Sequence, residues 1–286
     1  MMLWTRLLLF SLFITLKILV VSNADVLAAD RVVSTNLCTD QMALLLLDRS
    51  RLLSVSFLAA DPEESSLAHM TEGLHINYGE AEEIIALNPD LVLMGRHTTG
   101  FAKTILRQLG YPVLEVEHPK AIQDVHTTFI RVGKILEVEA RAKAILRDMD
   151  ERLEALTDRV AERARPTALV YDSNGFSMGG PSLVDDIMNL VGFNNLATNL
   201  GVGEFGQVPL EAVLISKPDI IIRLVYRPES FSLASQAAQH RALRTYLSAR
   251  PTSNIRSSLT ACGTPLIVNL AEQFWRARRR LIETGL

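Results

Sequence analysis

Apolar and polar positions along the chain follow two different periods. Short, near-continuous apolar or β-branched runs occupy residues 31–35, 52–57, 91–94, 113–116, 168–171 and 220–224. Such runs suit strands covered on both faces, as in parallel sheets. Between them lie longer stretches with apolar residues every three or four positions. These predict helices over 39–47, 81–87, 101–109, 122–136, 139–161, 183–191, 210–215, 242–247 and 265–282. Strand–helix alternation of this kind predicts an α/β fold with helices on both faces of parallel sheets.

One unit occurs twice. Glu82-Glu83-Ile84-Ile85-Ala86-Leu87-Asn88-Pro89-Asp90-Leu91-Val92-Leu93 is echoed by Glu211-Ala212-Val213-Leu214-Ile215-Ser216-Lys217-Pro218-Asp219-Ile220-Ile221-Ile222. In each copy a short helix must stop before proline, because the residue before proline is pushed out of the α region. The Asp then leads into an apolar strand. A unit found once in each half predicts two similar Rossmann-like lobes. The stretch from Ile122 to Arg165 lies between them, contains no proline and is rich in helix formers. Val125, Phe129, Val132 and Leu136 keep helical spacing, and Gly133 or Glu137-Val138 are the candidate breaks. A helix over 122–136 spans roughly 22 Å, enough to brace two lobes. The alternative is a helix packed wholly on one lobe.

The first thirty residues have a separate character. Arg6 precedes an apolar run from Leu7 to Leu16, Lys17 interrupts it, and the segment closes on Val26-Leu27-Ala28-Ala29. A basic start, an apolar middle and a small-residue exit predict an export signal peptide cleaved near Ala29. The interrupted run falls short of the roughly 18 apolar residues of a membrane span. The expected organisation is a signal segment over 1–29, a first lobe over 30–120, a linker helix over 121–137 and a second lobe over 138–286.

Composition narrows the function. The 286 residues are 48% hydrophobic and 21% charged, with a net charge of −3, so nucleic acid is not an expected partner. Two cysteines are too few for a disulfide scaffold or a four-thiolate zinc site. No phosphate-cradling G-x-x-x-x-G-K-[ST] motif occurs. The six histidines form no H-E-x-x-H pattern, and neither a metal site nor a cofactor is expected.

In open parallel sheets the ligand lies beyond the carboxyl ends of the strands. That rule selects the loops around 36–40, 58–61, 95–99, 172–180 and 224–227, which would face each other across a cleft between two lobes. An exported, two-lobed chain without an obvious catalytic set has the profile of a solute-capturing protein.

The residues also carry a resemblance. Arg31-Val32-Val33-Ser34, both Glu…Pro-Asp units, Leu109-Gly110-Tyr111-Pro112-Val113 and Gly263-Thr264-Pro265-Leu266-Ile267 resemble the periplasmic binding proteins for vitamin B12 and ferric siderophores. The similarity runs over nearly the whole chain beyond residue 29. It implies two α/β lobes joined by one long helix, with a ligand cleft and limited hinge motion. It further implies a monomeric periplasmic protein, not an enzyme, that delivers a small-molecule cargo to an inner-membrane ABC permease. One glutamate on each lobe docks on the transporter in this family, and by position these are Glu82 and Glu211. Both begin short helices, where a carboxylate suits the helix dipole. Glu80 and Glu83 are rivals to Glu82.

Cargo contacts carry over less directly. The family's vitamin B12 binders line the cleft with large aromatics, several of them tryptophan. Here Trp4 falls in the signal segment and Trp275 in the last helix. The candidate contacts are Tyr78, Arg96, His97, Tyr171, Phe205, Tyr226 and Arg227. Guanidinium groups fork onto anions, so the expected cargo is an anionic ferric siderophore, with cobalamin as the alternative. Cys38 and Cys262 fall in cleft loops, one per lobe. Three readings are open: they form a disulfide, remain free buried thiols, or touch the ligand or a metal. An enzyme reading also exists. Gly175-Phe176-Ser177-Met178-Gly179 matches the G-x-S-x-G pattern of hydrolases, with His240 as the one histidine downstream. Ser177 is expected inside a loop of roughly ten residues rather than at a strand–helix elbow.

Overall fold

The structure is a computed structural model that describes residues 29–96, 98, 100–157, 165–226, 245 and 250–284. Five strands form the first sheet: β1 (Val32–Ser34), β2 (Leu52–Ser56), β3 (His75–Asn77), β4 (Leu91–Gly95) and β5 (Val113–Val116). They are all parallel and lie in the order β3-β2-β1-β4-β5. The second half supplies β6 (Thr167–Val170), β7 (Phe176–Ser177), β8 (Asn194–Asn195), β9 (Gly206–Gln207), β10 (Ile220–Val225) and β11 (Thr252–Arg256). Of these, β11-β10-β6-β8 make a second parallel sheet, and β7 pairs antiparallel with β9. The fold is therefore α/β, with one parallel sheet in each lobe.

The six apolar runs all form strands. The strands that escape the sequence pattern are edge or two-residue strands. The edge strand β3 reads His-Ile-Asn, and its outer residues need no apolar covering. β11 alternates buried and exposed positions and buries Ser253 as well as Ile255. A half-buried edge strand carries no continuous apolar run.

Eight helices of more than one turn surround the sheets: α1 (Leu37–Leu46), α2 (Ala81–Ala86), α3 (Gly100–Gln108), α4 (Ile122–Ile135), α5 (Glu139–Thr157), α6 (Leu183–Leu190), α7 (Leu210–Ser216) and α8 (Ile267–Glu283) among the described residues. α1 starts two residues before its expected position because Asn36 caps it. The Asn36 side chain accepts the Cys38 N–H at 3.0 Å. The helix expected over 139–161 is described to Thr157, and the one expected over 242–247 lies outside the described residues.

The duplicated unit does the same physical work in both lobes. α2 ends at Ala86 and α7 at Ser216, ahead of their prolines. The residue before each proline, Asn88 or Lys217, takes a left-handed conformation with φ of 44° and 47°. Each Asp then clamps the start of the neighbouring strand. The Asp90 carboxylate accepts the Asp30 N–H at 3.2 Å, while its own N–H donates to the Arg31 carbonyl at 2.9 Å. The Asp219 carboxylate accepts the Thr167 N–H at 2.7 Å, and its N–H donates to the Thr167 carbonyl at 2.9 Å.

α4 is tied to both lobes. Its first N–H, on Ile122, donates to Asp186 of α6 at 2.8 Å, and Arg131 donates to the Glu115 carbonyl of β5 at 3.2 Å. Val125, Phe129 and Val132 are fully buried. The chain turns between α4 and α5 at Glu137, which has φ of 58°. Gly133 lies inside α4 and allows the two helices to close up. A Cβ there would stand 2.6 Å from the Ala142 Cβ.

A buried polar cluster closes the carboxyl end of the first sheet. The Asn77 amide donates to the Ser34 carbonyl and to Ser54, and Asp40 of α1 accepts from the Ser56 N–H and hydroxyl. Asp40 is fully buried, and burial pushes its carboxyl from 3.8 up to about 6 against the opposing effect of the serine hydrogen bonds. A carboxyl raised on folding binds its proton more tightly in the native state. Its contribution is therefore complete below its unfolded value of 3.8 and is lost as pH rises to about 6. Asp40→Asn removes this loss. The stability difference, variant minus wild type, should rise by about 2 kcal/mol between pH 4 and pH 7. Urea unfolding at both pH values measures it, and a difference that does not change with pH would contradict the assignment.

Candidate functional site

The strand order of the first sheet places the ligand-accepting crevice where the chain leaves β1 in one direction and β4 in the other. A cavity of about 730 Å³ opens there. From the first lobe it is lined by Asn36, Thr39 and Met42 at the start of α1, by Gly95 and Arg96 at the end of β4, and by Val116 through Lys120 at and beyond the end of β5. From the second lobe come Glu204 and Phe205, directly before β9, and the loop that carries Ala261 and Gly263. The wall thus draws on both lobes.

The charges on this wall are matched. The Arg96 guanidinium meets the Glu117 carboxylate at 2.6 Å. Lys120 reaches Glu204 across the cleft at 3.3 Å, and His118 Nε2 lies 3.8 Å from the same carboxylate. Phe205 is half exposed and stacks on Phe176 with ring centroids 6.2 Å apart. The site therefore offers an apolar and aromatic surface from Met42, Val116, Pro119 and Phe205, rimmed by ion pairs.

The lobes are fastened together beside this cavity. Cys38, the second residue of α1, and Cys262, in the loop before α8, form a disulfide with an S–S distance of 2.17 Å and Cα atoms 5.1 Å apart. Beside it the Thr264 hydroxyl bonds to the Gln41 amide oxygen at 3.1 Å. Gly263 presses against Pro119, and a Cβ at that glycine would come within 2.6 Å of the proline ring. At another point of the lobe boundary the Tyr226 hydroxyl donates to Glu64 at 2.6 Å.

The residues selected from sequence separate into four groups. Arg96 and Phe205 line the cavity, as does the cystine through Cys38. Tyr78, Tyr171 and Tyr226 lie outside its wall. Tyr78 is exposed and stacks on Phe57. Tyr171 is buried in a small apolar cluster with Leu169, Val213 and Ile221, where burial, and secondarily the charge of Glu211, push its phenol up. Tyr226 is the Glu64 partner. His97 and Arg227 lie outside the described residues. Glu82 and Glu211 are exposed in the first turns of α2 and α7.

Sequence reasoning missed Glu117, His118, Lys120 and Glu204. The first three follow the carboxyl end of β5, and the strand-end rule applied to the run at 113–116 points to them. Glu204 stands before a two-residue strand that has no sequence signature. The hydrolase reading also meets the structure here. Ser177 is a strand residue rather than a loop residue. It is fully buried, and its hydroxyl donates to the Val170 carbonyl at 2.6 Å. His240 lies outside the described residues.

Known proteins share this architecture. A family model described as "Periplasmic binding protein" matches residues 32–236. Two cobalamin-binding proteins of Halobacterium salinarum are 24% identical over 196 residues, which is 68% of this chain and 53% of theirs. The chain thus spans about half the length of those curated relatives. A periplasmic heme-binding protein of Roseiflexus superposes with a TM-score of 0.69 at 20% identity, covering 87% of this chain and 99% of that one. The periplasmic vitamin B12 binding protein of Vibrio cholerae gives 0.65 at 17% identity, covering 89% and 98%. A protein of an ABC-type Fe3+-hydroxamate transport system from Saccharomonospora viridis gives 0.67 at 20% identity, covering 87% and 93%. At these identities the solved structures establish the fold.

The disulfide closes a loop of 224 residues in sequence separation. Replacing both cysteines by serine should cost about 2–5 kcal/mol of stability, as for other native disulfides spanning long loops. Urea unfolding of the paired variant against the oxidised wild type checks this, and equal midpoints and slopes would contradict it.

Proposed function

The chain belongs to the periplasmic binding protein family, and we propose that it captures a bulky metal chelate and delivers it to an ATP-driven importer in the inner membrane. The observation that carries this reading is the cavity of about 730 Å³ walled by both lobes. A site shared between lobes can tighten on a ligand by a small relative movement. Its work is binding and handing over, with no bond made or broken. The location that goes with this role is the periplasm, reached through the signal segment over 1–29.

The charge pattern argues about the cargo. Arg96 alone would favour an anion, but Glu117 neutralises it, and Glu204 does the same for Lys120. A wall whose charges are already paired offers a strongly anionic chelate no net attraction to repay its desolvation. We therefore place a near-neutral ferric siderophore first, held by the aromatic and apolar wall with Phe205 as its principal contact. A corrinoid is the second reading, favoured by the cobalamin-binding relatives. Docking on the permease is assigned to Glu82 and Glu211. Each is an exposed carboxylate on a short helix, one per lobe, and exposed pairs of about 0–1 kcal/mol suit a contact that must be released.

Two outcomes are expected. Native mass spectrometry and calorimetry with ferrioxamine B, ferric enterobactin and cyanocobalamin should show one chelate bound 1:1. The triply anionic ferric enterobactin should bind at least roughly tenfold more weakly than the tightest of the others. Enterobactin binding tightest would overturn the charge argument, and no binding at all would overturn the cargo class. In cells, Glu82→Arg with Glu211→Arg should cut uptake of the bound chelate by roughly tenfold or more, about 1.4 kcal/mol of coupling. Its affinity for the purified protein should stay unchanged. Normal uptake by that variant would remove the docking role from both residues.

A further inference from the structure

The disulfide between the lobes is itself part of the cavity wall. Cys38 lines the cavity with Asn36 and Thr39 from the first lobe, and Ala261 and Gly263, the two neighbours of Cys262, line it from the second. The two halves of the crosslink differ in access. Cys38 is partly exposed, whereas Cys262 keeps 5% of its surface. Thiol–disulfide exchange starts with a thiolate reaching one of the two sulfurs, so access governs which sulfur is attacked and how fast. Here the accessible residue is Cys38, and it faces the space that a cargo would fill.

The crosslink also shapes that space. It joins the start of α1 to the loop before α8, 224 residues apart in sequence. The ties beside it, the Gln41–Thr264 hydrogen bond and the Gly263–Pro119 contact, are not covalent. Without the S–S bond these contacts and α4 still join the lobes. The two wall segments nevertheless gain freedom, which a bound chelate must remove again at a cost in affinity.

We infer that Cys38–Cys262 is a thiol-exchange site whose reaction and cargo binding oppose each other. A dithiol reductant enters the empty cavity and opens the crosslink, and a chelate in the cavity blocks it. This rests on the cargo reading above and adds redox control of the same cleft. A thiolate of the dithiol attacks the Cys38 sulfur, the S–S bond breaks, and Cys262 leaves as a thiolate that takes up a proton. The second thiol of the reductant then attacks the mixed disulfide and releases Cys38, which is protonated in turn. Two electrons pass to the cystine, two S–H bonds form, and the dithiol becomes a disulfide. Coupling between two sites is reciprocal, so the reduced state that cargo disfavours also holds cargo less tightly. The oxidised protein is the capturing form.

Two measurements test this, each with whichever of ferrioxamine B, ferric enterobactin and cyanocobalamin calorimetry shows bound. In the first, dithiothreitol is added to the oxidised protein with and without the chelate, and free thiols are counted by mass after alkylation. Reduction should slow in proportion to the empty fraction, about a hundredfold with the chelate at roughly 100 times its Kd. An unchanged rate with a bound chelate would overturn the inference and leave the cargo reading standing. If none of the three chelates binds, both fall. Urea below the unfolding transition should move the rate of the empty protein by less than roughly twofold. A rate that climbs steeply with urea would assign reduction to unfolding and overturn the site. In the second, wild type held in excess dithiothreitol should bind the chelate roughly tenfold more weakly than the oxidised protein, and Cys38→Ser with Cys262→Ser should match it. Equal affinity of the oxidised and reduced wild type would overturn the opposition between reduction and cargo.

Discussion

The cleft depends on a seam between the start of α1 and the loop that precedes α8. Within a few residues this seam holds a disulfide, the Gln41–Thr264 hydrogen bond and the contact of Gly263 with Pro119. Cys38, Gly263 and Pro119 of this seam also line the cavity, so the lobes are tied together beside the place where the ligand would rest. α4 adds a second tie, with its first N–H bonded into the second lobe and its Arg131 bonded into the first. The two lobes are thus joined at two separate points. A site built in this way keeps its wall in register before a ligand arrives, which lowers the ordering cost of binding.

The same helix that makes the seam also carries a cost. α1 is buried on almost every side, and its Asp40 lies in a fully buried polar cluster with Ser34, Ser56 and Asn77 close by. Burial disfavours the ionised carboxylate, and the hydroxyl and N–H donors offset only part of that penalty. The cluster nevertheless satisfies the main-chain and side-chain groups at the end of the sheet. It also fixes the loops that present Phe57 and Tyr78. Stability given up at Asp40 thus accompanies a rigid upper surface on the first lobe.

Charge is distributed differently inside the cleft and along the first lobe outside it. Inside the cleft each described charge on the wall faces an opposite one, and the surface left for a ligand is mainly apolar. Outside it, residues 57–83 gather seven carboxylates with no basic partner in sequence. The first arrangement suits discrimination by shape.

Much of the architecture was legible in the residues alone. Six apolar runs identified six strands, because strands covered on both faces must be apolar throughout. The repeated Glu…Pro-Asp unit showed two similar halves, since proline and the strand-clamping Asp act locally and need no distant partner. Edge strands such as β3 and β11 were invisible, because half of their surface needs no apolar cover. The site divided along the same line. Loops at strand ends could be named from order alone, and Arg96, Phe205 and Cys38 fell into the cavity. Tyr78, Tyr171 and Tyr226 came from the same kind of loop but point elsewhere, one onto Phe57, one into a core and one onto Glu64. Nor could sequence show that Arg96 faces Glu117 or that Lys120 faces Glu204. Spacing along the chain determines which residues share a strand end. The direction of each side chain, and the charge it meets there, is decided by packing between segments up to two hundred residues apart, and only the tertiary structure supplies that.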